Sequence, residues 1–311
     1  MTGEHKQADD GLRLGGLLRL LVPELSAELS VRSDLADLQE IRLRLGQPVR
    51  LLAAGREQTV PLVWQEEQQQ AQLMLFTENS FYAFDEQVRQ GFITLPGGHR
   101  VGLCGLAWYD EGRLGGFRDI CALNLRVARE IPGVAVPLLP YIADGGRVRR
   151  TLLAAPPGVG KTTLLRDLAR LFSEGAAGLA PLNIGVADER QELAAVYAGR
   201  PALDLGSRCD VISGCAKARA VSILLRAMSP RVIITDEIGS AADAEALQEA
   251  LNAGVSVLAS AHAATYDELT ARPSLRGLLS GGYFERVIFP RRLGDRILVQ
   301  AVYDESGVRI K

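Results

Sequence analysis

The chain has 311 residues, a formal net charge of −2 at pH 7 and 47% hydrophobic residues. This length predicts one or two domains with a sizeable core, while the near balance of acidic and basic residues gives no whole-chain electrostatic case for nucleic-acid binding. The chain contains no apolar run of about 18 residues, so we expect no membrane-spanning helix. The polar start, residues 1–10, does not resemble a signal peptide and is predicted to be a disordered tail.

The cysteine pattern indicates the redox state of the compartment in which the protein is found. Cys104, Cys121, Cys209 and Cys215 include no CxxC pair. We therefore expect reduced thiols in a cytosolic protein rather than disulfides or a zinc site.

Residues 12–29 form a leucine-rich amphipathic pattern that is interrupted near Pro23. The pattern predicts one or two helices that face a core, although a leucine-rich helix with arginines is also able to lie on a membrane surface. Further along, Ile41 and Leu43 alternate with arginines, which is typical of a half-buried strand.

The first third continues with helical and strand patterns. Residues 64–90 are predicted to be helical, two strands flank the turn at 96–99, and another strand alternates over 120–128. Hairpins and helices in this arrangement indicate a smaller α+β domain at residues 11–130. The prolines within 131–147 favour a linker.

Strand and helix patterns alternate through the rest of the chain. They predict an α/β domain at residues 148–311, a parallel sheet with helices on both faces. The predicted strands are 151–154, 182–187, 231–235, 255–260 and 286–289, and a terminal hairpin is predicted from 297–303 and 308–310.

A strand, a glycine-rich loop and a helix follow one another in RRTLLAAPPGVGKTTLLRDLA, residues 149–169. This order is typical of a phosphate-binding loop, whose general pattern is G-x-x-x-x-G-K-[ST]. Gly158 and Gly160 allow backbone N–H groups to approach phosphate oxygens, and Lys161 is able to reach the β- and γ-phosphates. Ala155 stands where the pattern has its first glycine, which is allowed if its φ stays negative. The simpler alternative is a glycine-rich turn with an incidental lysine.

The loop predicts ATP and Mg²⁺ as ligands. The N-terminus of the following helix attracts phosphate, and the Thr162 hydroxyl is placed to join the Mg²⁺ shell. The residues expected to bind the nucleotide are Pro157, Gly158, Val159, Gly160, Lys161, Thr162 and Thr163.

A second apolar strand, in RVIITDEIG, ends in Asp236 and Glu237. Ligands of open α/β sheets bind at the carboxyl ends of the strands. Asp236 is therefore predicted to hold the Mg²⁺ shell and Glu237 to polarise the attacking water. The alternative is that both carboxylates cap the next helix.

Two weaker signals also stand at strand ends. Asp188 and Glu189, followed by Arg190, are able to orient water or metal, or simply to form a turn. His262 follows the strand VSVLASA and is able to sense phosphate through an N–H donor, or to be a packed histidine.

These four segments, in this order, resemble the type II/IV secretion ATPases. The closer resemblance is to the stage III sporulation AA family of spore-forming bacteria, because motifs in both halves of the chain match. The matching segments are EIRLRLGQPV (Glu40–Val49), LPGGHRVGLCG (Leu95–Gly105), PPGVGKTTLLRDLAR (Pro156–Arg170), VADER (Val186–Arg190) and AMSPRVIITDEIG (Ala227–Gly239).

The resemblance implies a RecA-like core and a cytoplasmic, Mg²⁺-dependent ATPase. It further implies a homo-oligomer, a hexameric ring, docked on inner-membrane secretion-complex proteins between mother cell and forespore. From the near-neutral charge and the lack of a basic-aromatic stripe, we expect no nucleic acid among its partners. By the same resemblance, Asp188 and Glu189 belong to an acidic box with a catalytic role, and His262 to a histidine box.

Rings of this kind imply that arginines of one subunit neutralise transition-state charge at the next subunit. Arg100, Arg118 and Arg126 lie in the corresponding hairpin region, and Arg100 and Arg126 are the candidates. The alternative is that these arginines solvate a sheet face. Two other functions stay open, a nucleic-acid-dependent motor and a scaffold that binds nucleotide without hydrolysing it.

Overall fold

The computed structural model describes residues 15–294 and 296–311, and the chain divides into two compact units. Unit 1 contains the described residues up to Arg129 together with Ala195–Ala202, and unit 2 contains Glu130–Ala194 and Leu203–Lys311. The tail predicted at residues 1–10 lies outside the described residues. That the two units fold as separate domains stays a prediction.

Unit 1 is built on a six-stranded sheet in the order β3-β2-β1-β6-β5-β4, whose paired neighbours are antiparallel. Its helices and strands up to Arg129 are α1 (Pro23–Ser30), β1 (Leu38–Arg44), β2 (Pro48–Ala53), β3 (Arg56–Val63), α2 (Glu66–Phe76), α3 (Asp85–Arg89), β4 (Phe92–Thr94), β5 (Arg100–Asp110) and β6 (Arg113–Arg126).

The leucine-rich N-terminal segment faces the core of unit 1. Leu17, Leu21, Leu25 and Leu29 are all buried, as the core-facing interpretation predicts. The buried Gln72 side chain lies beside the interruption, where it accepts from the Val22 N–H at 3.0 Å and donates to a backbone carbonyl at 2.7 Å. Polar backbone groups released at the break are thereby satisfied. Within the described residues, no helix is both long and apolar enough to cross a bilayer.

Unit 2 is built on a seven-stranded sheet in the order β13-β10-β14-β15-β9-β16-β17, parallel except for the β16–β17 pair. The elements that follow Arg129 in the chain are α4 (Leu139–Ile142), β7 (Ala143–Asp144), β8 (Arg147–Val148), β9 (Thr151–Ala154), α5 (Lys161–Glu174), β10 (Ile184–Asp188), β11 (Val196–Tyr197), β12 (Arg200–Pro201), β13 (Cys209–Ser213), α6 (Lys217–Ala227), β14 (Val232–Glu237), α7 (Ala241–Asn252), β15 (Ser256–Ala261), α8 (Tyr266–Ala271), α9 (Pro273–Ser280), β16 (Arg286–Leu293) and β17 (Arg296–Asp304).

Two features of the sheet differ from the strands predicted by pattern. The edge strand β13 was not predicted, because all five of its residues are only half-buried and give no apolar run. The predicted terminal hairpin is partly wrong. β17 does cover 297–303, but its sheet partner is β16, and residues 308–310 contribute only a short return that includes the Tyr303–Arg309 bridge.

The segment expected to be a linker, 131–147, packs within unit 2. The Asp167 carboxylate on α5 accepts from the backbone N–H groups of Gly133 at 3.0 Å and Ala135 at 2.9 Å. Leu138 and Ile142 are fully buried. The segment is therefore fixed to the helix that follows the glycine-rich loop.

The short hairpin β11–β12 belongs to unit 1, although the chain enters it from unit 2 and leaves it to unit 2. Its Tyr197 hydroxyl donates to the Glu78 carboxylate. Burial, together with the hydrogen bond to Glu78, raises the pKa of Tyr197 to about 12, so the hydroxyl stays protonated as a donor at neutral pH.

Glu285, just before β16, holds two arginines. Its carboxylate forms a two-pronged ion pair with Arg147, with distances of 2.6 and 2.8 Å, and also accepts from the Arg150 backbone N–H at 3.1 Å. These contacts lower the pKa of Glu285 from 4.5 to about 2, against the opposing effect of burial.

Glu285→Gln should lower the free energy of unfolding at pH 7 by about 1–2 kcal/mol, allowing for solvent screening of the exposed Arg147. Because the folded-state pKa is depressed, the contribution is complete above pH 4.5 and is lost as the pH falls towards about 2. Urea unfolding at several pH values measures this. The difference in the free energy of unfolding between wild type and variant should become smaller as the pH falls from 4.5 to about 2. A difference that does not depend on pH would contradict the ion-pair explanation.

Candidate nucleotide-binding site

The glycine-rich loop connects β9 to α5 in the predicted order. Ala155 keeps a negative φ, as required of an alanine at that position, and its N–H donates to Ala261 O at 3.2 Å. Gly158 and Gly160 have φ values of 80° and 103°, in the left-handed region, yet a Cβ at either would meet nothing within 4 Å. Backbone conformation rather than lack of space therefore requires glycine here.

Lys161 is the first residue of α5, and its side chain is folded back onto the loop. Its Nζ donates to Ala155 O at 2.7 Å and Pro156 O at 3.1 Å, and lies 2.7 Å from His262 Nδ1. Burial lowers the pKa of Lys161, and the negative charge of Glu237 partly opposes this. A phosphate group would supply the counter-charge that this buried ammonium lacks.

His262 joins Lys161 to Glu237. Its second ring nitrogen, Nε2, lies 2.9 Å from Glu237 Oε2. Both contacts are satisfied by a neutral imidazole that accepts at Nδ1 and donates at Nε2. The lysine of the loop, the histidine after β15 and the carboxylate at the end of β14 thus form one continuous polar chain.

Two arginines also lie near the Glu237 carboxylate. Arg272 Nη1 is 3.7 Å from Oε1, and Arg190 Nη1 is 4.0 Å from Oε2. Arg190 follows the predicted acidic box, but Arg272 was not predicted, because an arginine before the proline of α9 gives no signal beyond a solvated helix start. Both guanidinium groups thus lie beside the carboxylate that is the candidate general base.

Asp236 is buried beside Lys217, which the sequence pattern also does not predict. Lys217 Nζ lies 2.7 Å from Asp236 Oδ1, and its side chain is only 4% exposed. The close approach is ionic, because neither Asp236 oxygen accepts a hydrogen bond of suitable direction. Lys217 Nζ instead directs a hydrogen bond to the Glu237 backbone carbonyl.

The residues present fit a magnesium–nucleotide complex. The Asp236 oxygens are buried with lone pairs available, and Thr162 is half-buried in the first turn of α5. Among the described residues, no three His, Cys, Asp or Glu side chains form a dedicated metal cage. This is compatible with Mg²⁺, which is usually bound through one or two carboxylates, water and substrate phosphates.

The acidic-box residues differ in their surroundings. Asp188 is fully buried, and its carboxylate accepts from the backbone N–H groups of Glu192 (2.8 Å), Leu193 (3.0 Å) and Ala194 (2.9 Å). Burial raises the pKa of Asp188, the three N–H groups lower it, and the nearby Asp236 charge raises it. Glu189 is exposed. The geometry gives Asp188 the role of closing a loop, whereas a catalytic role for either residue stays a proposal.

The candidate arginines of the N-terminal half all lie in unit 1. The Arg100 guanidinium stacks 3.6 Å from the Phe92 ring centroid, and Arg118 lies over Trp108 at 5.5 Å. Arg126 is exposed and lies 3.5 Å from a Glu40 oxygen. These contacts describe their local packing in unit 1, and a role at a neighbouring subunit stays a proposal.

Comparison with known proteins identifies the family. The family described as sporulation stage III, protein AA matches residues 16–310. The chain belongs to this family. It is 41% identical over 273 residues to the stage III sporulation protein AA of Bacillus subtilis (strain 168), covering 87% of this chain and 88% of that protein. The resemblance inferred from the motifs is therefore confirmed.

Solved structures that share the fold include an ATPase and a pilus retraction motor. The Legionella pneumophila ATPase DotB superimposes with a TM-score of 0.62 at 14% identity, covering 92% of this chain and 82% of DotB. The pilus retraction motor PilT with bound ADP gives 0.52 at 16% identity, covering 90% and 80%. At these identities the comparison shows the fold, and it confirms the predicted RecA-like α/β class.

Lys161→Ala should weaken nucleotide binding by at least about tenfold, because it removes the buried ammonium expected to face the β- and γ-phosphates. Titration calorimetry with an ATP analogue measures this. Lys311→Ala, which removes an exposed lysine near Tyr141, is the matched control and should bind like wild type. Wild-type affinity in the Lys161 variant would contradict the assignment of the phosphate-binding loop.

Proposed function

We propose that the protein is a Mg²⁺-dependent ATP hydrolase of the secretion and pilus-motor type. The observation that supports this best is the polar chain from Lys161 through His262 to Glu237. In this proposal Lys161 binds phosphate and Glu237 is the general base, and the two side chains lie on opposite sides of one imidazole. A scaffold that only binds nucleotide has no need of this arrangement.

In the proposed reaction, Lys161 turns from the Ala155 and Pro156 carbonyls to the β- and γ-phosphates. His262 then loses the donor at its Nδ1, while its Nε2 still orients Glu237. Glu237 accepts a proton from the water that attacks the γ-phosphate. When bound, Mg²⁺ neutralises phosphate charge, with Thr162 and Asp236 holding its shell. The hydrogen bonding of His262 would thereby depend on whether phosphate is bound.

The wider role that we propose is to energise a sporulation-associated transmembrane secretion or feeding complex. Membership of the sporulation family and the fold shared with DotB and PilT support it. The proposed assembly is a homo-oligomeric ring, a hexamer, in the cytoplasm. It would contact inner-membrane secretion-complex proteins and no nucleic acid.

Hydrolysis by purified protein, dependent on Mg²⁺, tests the function. Glu237→Gln should bind ATP but turn it over about 100-fold or more slowly, because the amide keeps the shape without the basicity. Asp188→Asn and Glu189→Gln are the comparison variants. Should either of them reduce turnover further while Glu237→Gln stays active, the general base would belong to the acidic box.

Subunit mixing distinguishes an arginine that acts at a neighbouring subunit from one that acts within its own. If Arg100 or Arg126 acts in trans, its alanine variant is inactive alone but regains turnover when mixed with Lys161→Ala, because an intact Lys161 site then faces an intact arginine. Arg272→Ala is the internal comparison. Arg272 lies beside Glu237 of its own chain, so mixing should not restore its activity. Absence of recovery for an arginine, in complexes shown by mass to contain both subunits, removes its trans role.

A further inference from the structure

Lys217 is a buried cation within the candidate site that the proposed reaction leaves without a role. It is the first residue of α6, and its neighbour Asp236 is at the end of β14. A buried lysine is seldom stable without a counter-charge, and a buried carboxylate equally needs a cation. The 2.7 Å approach of Nζ to Asp236 Oδ1 meets both requirements.

A second carboxylate makes the need for this cation greater. Asp188 ends β10, the neighbour of β14 in the sheet, and the charge of Asp236 contributes to its raised pKa. Lys161 does not serve Asp236, since the hydrogen bonds of its ammonium go to Ala155, Pro156 and His262. Among the described residues, Lys217 is thus the cation that lies against Asp236.

A triphosphate entering this site brings several negative charges towards Asp236. An uncompensated carboxylate there would repel the nucleotide until magnesium arrived, whereas a fixed ammonium offsets the repulsion beforehand. Lys217 also donates to the Glu237 carbonyl, so the same side chain fixes two successive residues of the strand end.

We propose that Lys217 is a positioning residue that acts as a built-in counter-ion for Asp236. It holds that carboxylate in place in the metal-free site and allows nucleotide to bind before magnesium. The inference rests on the proposed nucleotide site and adds to it an order of binding, nucleotide first and metal second.

The test compares the affinity for a non-hydrolysable ATP analogue in excess EDTA with the affinity in Mg²⁺, by titration calorimetry. Lys217→Met should weaken metal-free binding by about tenfold or more but binding with Mg²⁺ by less than about threefold, because the metal supplies the missing charge. Lys217→Arg retains the charge and should resemble wild type. Lys217→Met combined with Asp236→Asn removes both charges and should recover metal-free binding.

Glu285→Gln is the control for general destabilisation, because it removes a remote ion pair of unit 2, and its ratio of the two affinities should equal that of wild type. If Lys217→Met does not fold, Asp236→Asn serves as the test. It leaves the positive charge of Lys217 without its counter-charge, so this variant should bind the analogue in EDTA more tightly than wild type. Two results would overturn the role of Lys217 but not the proposed function. One is that Lys217→Met weakens the affinities in EDTA and in Mg²⁺ equally, and the other is that Asp236→Asn binds the analogue in EDTA more weakly than wild type. Absence of binding by wild type in Mg²⁺ would overturn the proposed function with it.

Discussion

A buried ammonium group needs acceptors around it, and that requirement on Lys161 organises the candidate site. The loop supplies two carbonyls, and the third acceptor, His262, directly follows β15, the strand next to β9. Because α5 begins at Lys161, the positive end of a helix adds to the charge at the same place. The buried ammonium and the N-terminus of α5 therefore put positive charge at the same place, which favours the binding of an anion.

The order of strands explains why one imidazole is able to join the lysine to the glutamate. β15 lies between β14 and β9, and the three are parallel, so their carboxyl ends meet at one edge of the sheet. A residue directly after β15 must lie between the end of β14, which carries Glu237, and the loop after β9. The position of His262 thus follows from topology, and its type gives that position two hydrogen-bonding nitrogens.

Much of this edge could be predicted from sequence, because the strand-end residues Asp188, Asp236, Glu237 and His262 each follow an apolar run. The order of the strands could not, since hydrophobic patterns identify strands but not their neighbours. Lys217 and Arg272 were missed for a related reason. Both stand at helix starts, where long basic side chains are normally solvated. Only the packing of α6 on the sheet, and of α9 on α7 and α8, brings them to the carboxylates.

The two adjacent carboxylates of the acidic box differ in burial, since Asp188 is buried and Glu189 is exposed. Asp188 points into the fold and its carboxylate takes three backbone N–H groups of the loop that follows, while Arg166 on α5 donates to the Glu192 and Leu193 carbonyls of the same loop at 2.7 Å. The loop is thus held from both sides by side chains of unit 2. It continues directly into Ala195–Ala202, which belongs to unit 1. The hydrogen bonds to Asp188 and Arg166 therefore fix this loop up to Ala194, the residue directly before Ala195.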